Sequence, residues 1–226
     1  MKQIYIDPYH YNLLSRIKGV TKGMLLLLGL PALTIWTLII WSVASSESRY
    51  PQAQAQDWNS FTLSFIVLMI FIFILVVVYT HSKKNMKTII TAVKLEGVFE
   101  PCKSNELIGF FNSYYFGIDI VHGTFVYIEH VNTKENLLAK DIMAFGFDVK
   151  NWRSCELSDN KLTVYTNDPN IPYIYIDNKR APLLFEKISA MRNKDFSYPH
   201  SFPGWVDIKA QEAAEARGLN LIPIKY

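Results

Sequence analysis

Residues Phe61–Tyr79 read FTLSFIVLMIFIFILVVVY, and no formal charge occurs between Asp57 and Lys83. A helix drawn through this run is apolar on every face. A soluble core helix of that length normally keeps a polar stripe. A second run of the same kind, Met24–Ala44 (MLLLLGLPALTIWTLIIWSVA), precedes it. At 1.5 Å per residue, its 21 residues reach across roughly the 30 Å hydrocarbon core of a bilayer. The two runs predict a transmembrane hairpin with spans over 24–44 and 61–79. Pro31 falls inside the first span and predicts a kink there, tolerated in a membrane. A cleaved signal peptide is the competing reading of the first run, with small residues at Ser42-Val43-Ala44. Its apolar core is longer than the usual h-region, and 23 residues stand before it.

The flanks orient the hairpin. Arg16, Lys18 and Lys22 precede the first span, and Lys83, Lys84 and Lys87 follow the second. The loop between the spans, Ser45 to Asp57, holds one cation, Arg49, against Glu47 and Asp57. Positive-inside then puts both termini in the cytoplasm and the loop outside, with Trp41 and Trp58 near the outer interface. Lys83, Lys84, Lys87 and Lys94 also suit anionic head groups, although fixing topology is their main expected role. Gly19 and Gly23 make a GxxxG spacing, which leaves a homo-oligomer open.

After Lys94 the long apolar runs give way to short alternating ones. Phe116–Ile120 and Thr124–Ile128 flank a turn at Val121-His122-Gly123. Ile142–Val149 forms a third run. Cys155–Leu157 and Lys161–Thr166 flank Ser158-Asp159-Asn160, and Pro172–Asp177 follows a further turn at Asn167–Asn170. Five or six strands without intervening helices predict an antiparallel sheet or partly open barrel. Leu183, Leu184, Ile188 and Met191 recur at helical spacing after Pro182, predicting one helix that closes the sheet. Ser201 as N-cap and Gly218 as stop bracket a last, alanine-rich helix whose thin apolar face includes Trp205 and Ile208. The fold class is therefore α+β. Its divisions are a membrane hairpin over 1–94, a small antiparallel β domain over 95–196, and a C-terminal helix and tail over 197–226.

The meander GIDIVHGTFVYIE, AKDIMAFGFDV, NKLTVYTND with one closing helix resembles bacterial pleckstrin-homology-like (PH-like) domains over about Val98–Asn193. The whole arrangement, with NKLTVYTNDPNIPYI and FPGWVDIKAQEAA, resembles the ExcA-type surface exclusion proteins of IncI-group conjugative plasmids. That resemblance implies a bacterial inner-membrane protein that blocks redundant transfer of a related plasmid. The implied partner is a polytopic membrane subunit (TraY) of the donor's transfer apparatus. The resemblance brings no catalytic residues with it. A membrane-anchored PH-like lipid- or protein-binding module, or a structural subunit of a membrane secretion complex, are the alternatives.

Composition and motifs narrow the chemistry. The chain has 226 residues, net charge +3 and two cysteines, and a mean hydropathy of +0.10. HExxH, GxGxxG, the Walker lysine loop and GxSxG are all absent from the sequence. His122 and His130 flank one strand but lack metal-pair spacing, and Cys155 has no adjacent base. The expectation is a non-enzymatic protein without cofactor or metal. Residues 95–226 carry 14 cations against 17 anions, which gives no support to nucleic-acid binding. Phe110, Phe111, Tyr114 and Tyr115 concentrate rings before the first clear strand pair. With Trp205 and Ile208 they are the candidate partner contacts, set against the alternative that they fill the core.

Overall fold

A computed structural model describes residues 28–46, 51–109, 112–131, 141–169, 171–198 and 200–222. The chain divides into two compact units, one within Tyr9–Tyr79 and one containing Thr80–Tyr226. The second therefore takes in the end of the long helix, Thr80–Val93, which the sequence division leaves with the membrane part.

The first unit is helical. Helix α1 covers Leu30–Ser45, and α2 runs unbroken from Pro51 to Val93. Pro31 stands in the first turn of α1, where a missing N–H costs no helical bond. Two π-helical residues, Leu28 and Gly29, stand immediately before α1. Of the described helices, α2 alone is long and apolar enough to cross a membrane, by length and composition. Helix α1 has 16 described residues, about 24 Å at the helical rise. Residues 24–27 of the expected span lie outside the described ones. The expected pair of spans is thus met by one helix.

The second unit is built on two sheets. Strands β1 (Glu106–Ile108), β2 (Tyr114–Asp119), β3 (Thr124–Val131) and β4 (Asp141–Asp148) pair antiparallel in sequence order. A two-residue strand, β8 (Asn220–Leu221), adds parallel to β4. Strands β5 (Trp152–Ser158), β6 (Lys161–Thr166) and β7 (Tyr173–Asp177) form a separate antiparallel sheet. The single sheet or barrel of the sequence reading is therefore two sheets. The reversals sit where predicted: Gly123 has φ +67° between β2 and β3, and Asp159 has φ +54° between β5 and β6. Glycine adopts such angles without steric cost, and aspartate tolerates them better than most residues.

Burial explains why the strands read differently. The larger sheet is covered on both faces. Phe116, Ile118, Phe125, Phe145 and Phe147 point toward the smaller sheet and helix α3 (Ala181–Met191). Tyr115, Val126, Ile128, Ile142 and Ala144 point the other way, onto Met86, Ile89 and Val93 of α2 and onto helix α4 (Phe202–Glu215). A doubly covered strand needs no polar alternation, and β4 is buried nearly throughout. Strands β6 and β7 alternate instead, being covered on one face. The thin apolar face of α4 finds its partner on β4. A Cβ added at Gly146 would lie 2.5 Å from Val206 Cγ2, so the absent side chain is what lets the helix approach. Ser201 caps α4 by accepting from the Gly204 N–H at 3.4 Å, and Gly218 (φ +61°) ends the turn after it.

Candidate functional site

The basic stretch is an amphipathic continuation of α2. Asn85, Met86, Ile89, Ile90 and Val93 are buried, whereas Lys83, Lys84 and Lys87 are exposed. The spacing of three and four residues that buries one set necessarily exposes the other. Arg16, Lys18 and Lys22 lie outside the described residues.

Lys94 has a structural role. Its ammonium pairs with the Glu106 carboxylate, which also accepts the Tyr115 hydroxyl proton at 2.7 Å. The Glu106 carbonyl accepts from the Arg180 guanidinium at 3.0 Å, and a second Arg180 nitrogen reaches the Ser104 carbonyl. Glu106 thus ties the end of α2, strands β1 and β2, and the approach to α3. Burial, followed by the bond to Glu106, raises the Tyr115 pKa far above the ordinary tyrosine value.

The aromatic run is split by strand alternation. Tyr115 and Phe116 point to opposite faces of β2, and both are buried, Tyr115 to 1 % exposure. Tyr115 therefore braces the core, where its neighbours in α2 and α4 cover it. Tyr114 is half-buried and stacks on Tyr127, with centroids 6.1 Å apart. Trp205 is half-buried against Phe202 at 5.9 Å, and Ile208 is exposed. Tyr114 belongs to the inter-sheet core and Trp205 to the helix-side core, so the structure does not bring them together. Phe110 and Phe111 lie outside the described residues.

His122, His130 and Cys155 make local contacts. Asp119, almost fully buried, accepts from the backbone N–H groups of Glu100 (2.7 Å) and Val121 (2.9 Å), and its carboxylate lies 2.6 Å from His122 Nδ1. His130 is at the far end of β3, its Nε2 3.4 Å from the Ser82 carbonyl. Burial pulls its pKa below the ordinary histidine value, nearby His81 lowers it further, and the Ser82 contact opposes both. Cys155 lies half-buried with Sγ 3.6 Å from Ser189 Oγ, and burial raises its thiol pKa. Among the described residues, no group of three or more His, Cys, Asp or Glu could hold a metal ion.

Sequence reasoning passed over the outer face of the smaller sheet. Tyr173 and Tyr175 are each 46 % exposed, and Tyr165 stands directly across from Tyr173. The Tyr165 hydroxyl donates to Glu156 at 3.0 Å. The alternation in KLTVYT and YIYID carries this signal. Only the strand register shows that the rings share one patch.

The chain matches the protein family described as Exclusion-determining protein over residues 16–224. No curated protein and no solved structure matches it significantly.

Proposed function

The chain belongs to the exclusion-determining protein family, and from that premise we propose that it is a non-enzymatic inner-membrane protein mediating surface exclusion. It blocks redundant conjugative transfer of a related plasmid by recognising a polytopic membrane subunit of the donor's transfer apparatus. The observation that carries this reading is the family match, which extends over nearly the whole chain. Helix α2 supports the membrane location. Its apolar stretch is followed without a break by a basic turn and then by residues packed into the folded domain. In this reading the chain crosses the membrane twice with both termini cytoplasmic, as the lysine distribution favours.

Mating into recipients that express only this chain tests the proposal. Transfer of related plasmids should fall, while transfer of an unrelated plasmid should not. Unchanged transfer from every related donor would end it.

A second reading, a membrane-held PH-like module, is favoured by the order of four strands, three strands and a following helix. Strong, salt-sensitive binding of the full chain to added vesicles containing anionic lipid would favour that reading.

A further inference from the structure

Almost no chain separates the apolar run of α2 from the folded domain. The run ends at Tyr79, and Ser82, three residues on, already touches the domain, its carbonyl 3.4 Å from His130 Nε2. In an α-helix three residues advance about 4.5 Å. The head-group layer on one side of a bilayer is about 5–8 Å deep, from the full thickness less the hydrocarbon core. In a chain whose apolar run fills that core, His130 is held at head-group depth. It is one of a row. Its N–H donates to the Ser113 carbonyl, it stands beside Ile142 in the β3–β4 ladder, and the Ile142 carbonyl accepts from Ile222. The row runs across β2, β3, β4 and β8 at one end of the larger sheet. The other end, with Val121 78 % exposed at the β2–β3 turn, lies about 20 Å away along the strands at roughly 3.4 Å per residue.

We infer that this end of the larger sheet is a lipid-binding surface. It rests in the head-group layer of the bilayer that holds α2, with Lys83 and Lys84 binding the phosphates of anionic phospholipid. Both lysines are exposed and follow Ser82 directly, and exposed Lys87 is one helical turn beyond Lys83. The acids at the same end are engaged within the fold. Asp141 is buried and accepts from the Asn220 amide at 3.0 Å, and half-buried Glu129 accepts from the Tyr127 hydroxyl at 3.0 Å. Past the end of α4, exposed Glu215 and Arg217 offset one another. Among the described residues, the charge left facing outward here is therefore basic, which complements lipid phosphate. Chain length names the occupant, because a surface this close to the exit of a span meets lipid first. The inference rests on the reading of α2 as a membrane span.

Single-cysteine labelling of the full chain in liposomes provides the test, with Cys102 and Cys155 replaced by serine and a fluorophore attached at each chosen position. Fluorophores at Ser113→Cys and Ile222→Cys should be quenched by lipids carrying a head-group nitroxide, and one at Val121→Cys should not. Either of the first two positions suffices where the other variant fails to fold. A fluorophore at Phe73→Cys, within the apolar run, should be quenched by an acyl-chain nitroxide. With a shallow acyl-chain nitroxide carried on phosphatidylglycerol rather than phosphatidylcholine, at equal fraction, quenching at Ser113→Cys should rise severalfold through local enrichment. Lys83→Gln combined with Lys84→Gln should abolish that rise. Equal quenching at Ser113→Cys and Val121→Cys, or none at Ser113→Cys and Ile222→Cys, would overturn the proposal. So would a phosphatidylglycerol preference that is absent or that survives the double lysine change. The Phe73→Cys probe separates the two claims. Quenching there with none at Ser113→Cys and Ile222→Cys removes the lipid surface and leaves the span; no quenching there removes both.

Discussion

Gly146 shows how a single missing atom positions an element. With Val206 2.5 Å from where a Cβ would be, Gly146→Val should force α4 off β4. The expected destabilisation is about 1–3 kcal/mol, seen as a lower thermal midpoint of the full chain. His130 gives a residue-scale pH effect. Its pKa is lowered on folding, chiefly by burial, so below the ordinary value of about 6.5 the unfolded chain binds more protons. Stability is then fully present above that value and falls as the pH drops toward the folded pKa. Chemical denaturation at about pH 8 and about pH 5.5 should show the loss in the wild type and a smaller one in His130→Gln. Equal losses would remove His130 as the source. Some roles at this scale were visible in the sequence: Gly123, Ser201 and Gly218 act as turn, cap and stop, because backbone angles and caps are local requirements. The role of Tyr115 was not visible. Its partner Glu106 stands nine residues away and Lys94, which pairs with Glu106, 21 away, and only folding brings the three together.

At the scale of elements, α2 has two characters in one uninterrupted helix. From Phe61 to Tyr79 it is apolar on all sides, and from Ser82 it has a buried face against the larger sheet and a basic face outside. Ile89→Ala should therefore cost about 2–5 kcal/mol, whereas Lys87→Ala should stay within about 0.5 kcal/mol. Unfolding of the two variants beside the wild type checks the contrast. The same packing bears on where the soluble unit can be cut. A fragment beginning at residue 80 keeps Met86, Ile89 and Val93 over the sheet, and one beginning at residue 95 uncovers Tyr115, Val126 and Ile128. The longer fragment should run as a monomer in size-exclusion chromatography and the shorter should aggregate, since an exposed apolar face of this kind associates. Strands β2 to β7 and both C-terminal helices were legible because their apolar periods of two and 3.6 are written along the chain. Strands β1 and β8 were not, being three and two residues long and too short to display a period.

At the scale of the molecule, the net charge of +3 is a difference of two halves. Residues 1–94 hold nine cations and three anions, and residues 95–226 hold 14 and 17. Of the nine cations, eight lie outside the Ser45–Asp57 loop and flank the spans, and this distribution underlies the proposed orientation. Alkaline phosphatase fused at Gln54 should be active and at Tyr226 inactive, and the reverse pattern would overturn the orientation. The long apolar helix, the α+β class, the turns and the family resemblance are legible along the chain, because hydrophobic period, turn chemistry and composition are encoded in neighbouring residues. Tertiary structure alone decided that the strands form two sheets, that α2 and α4 cover the larger one, and that Tyr165, Tyr173 and Tyr175 meet on an open face. Register and coverage depend on residues far apart in the chain. A strand's own alternation shows that it has two faces, but what covers each face is settled only when the chain folds.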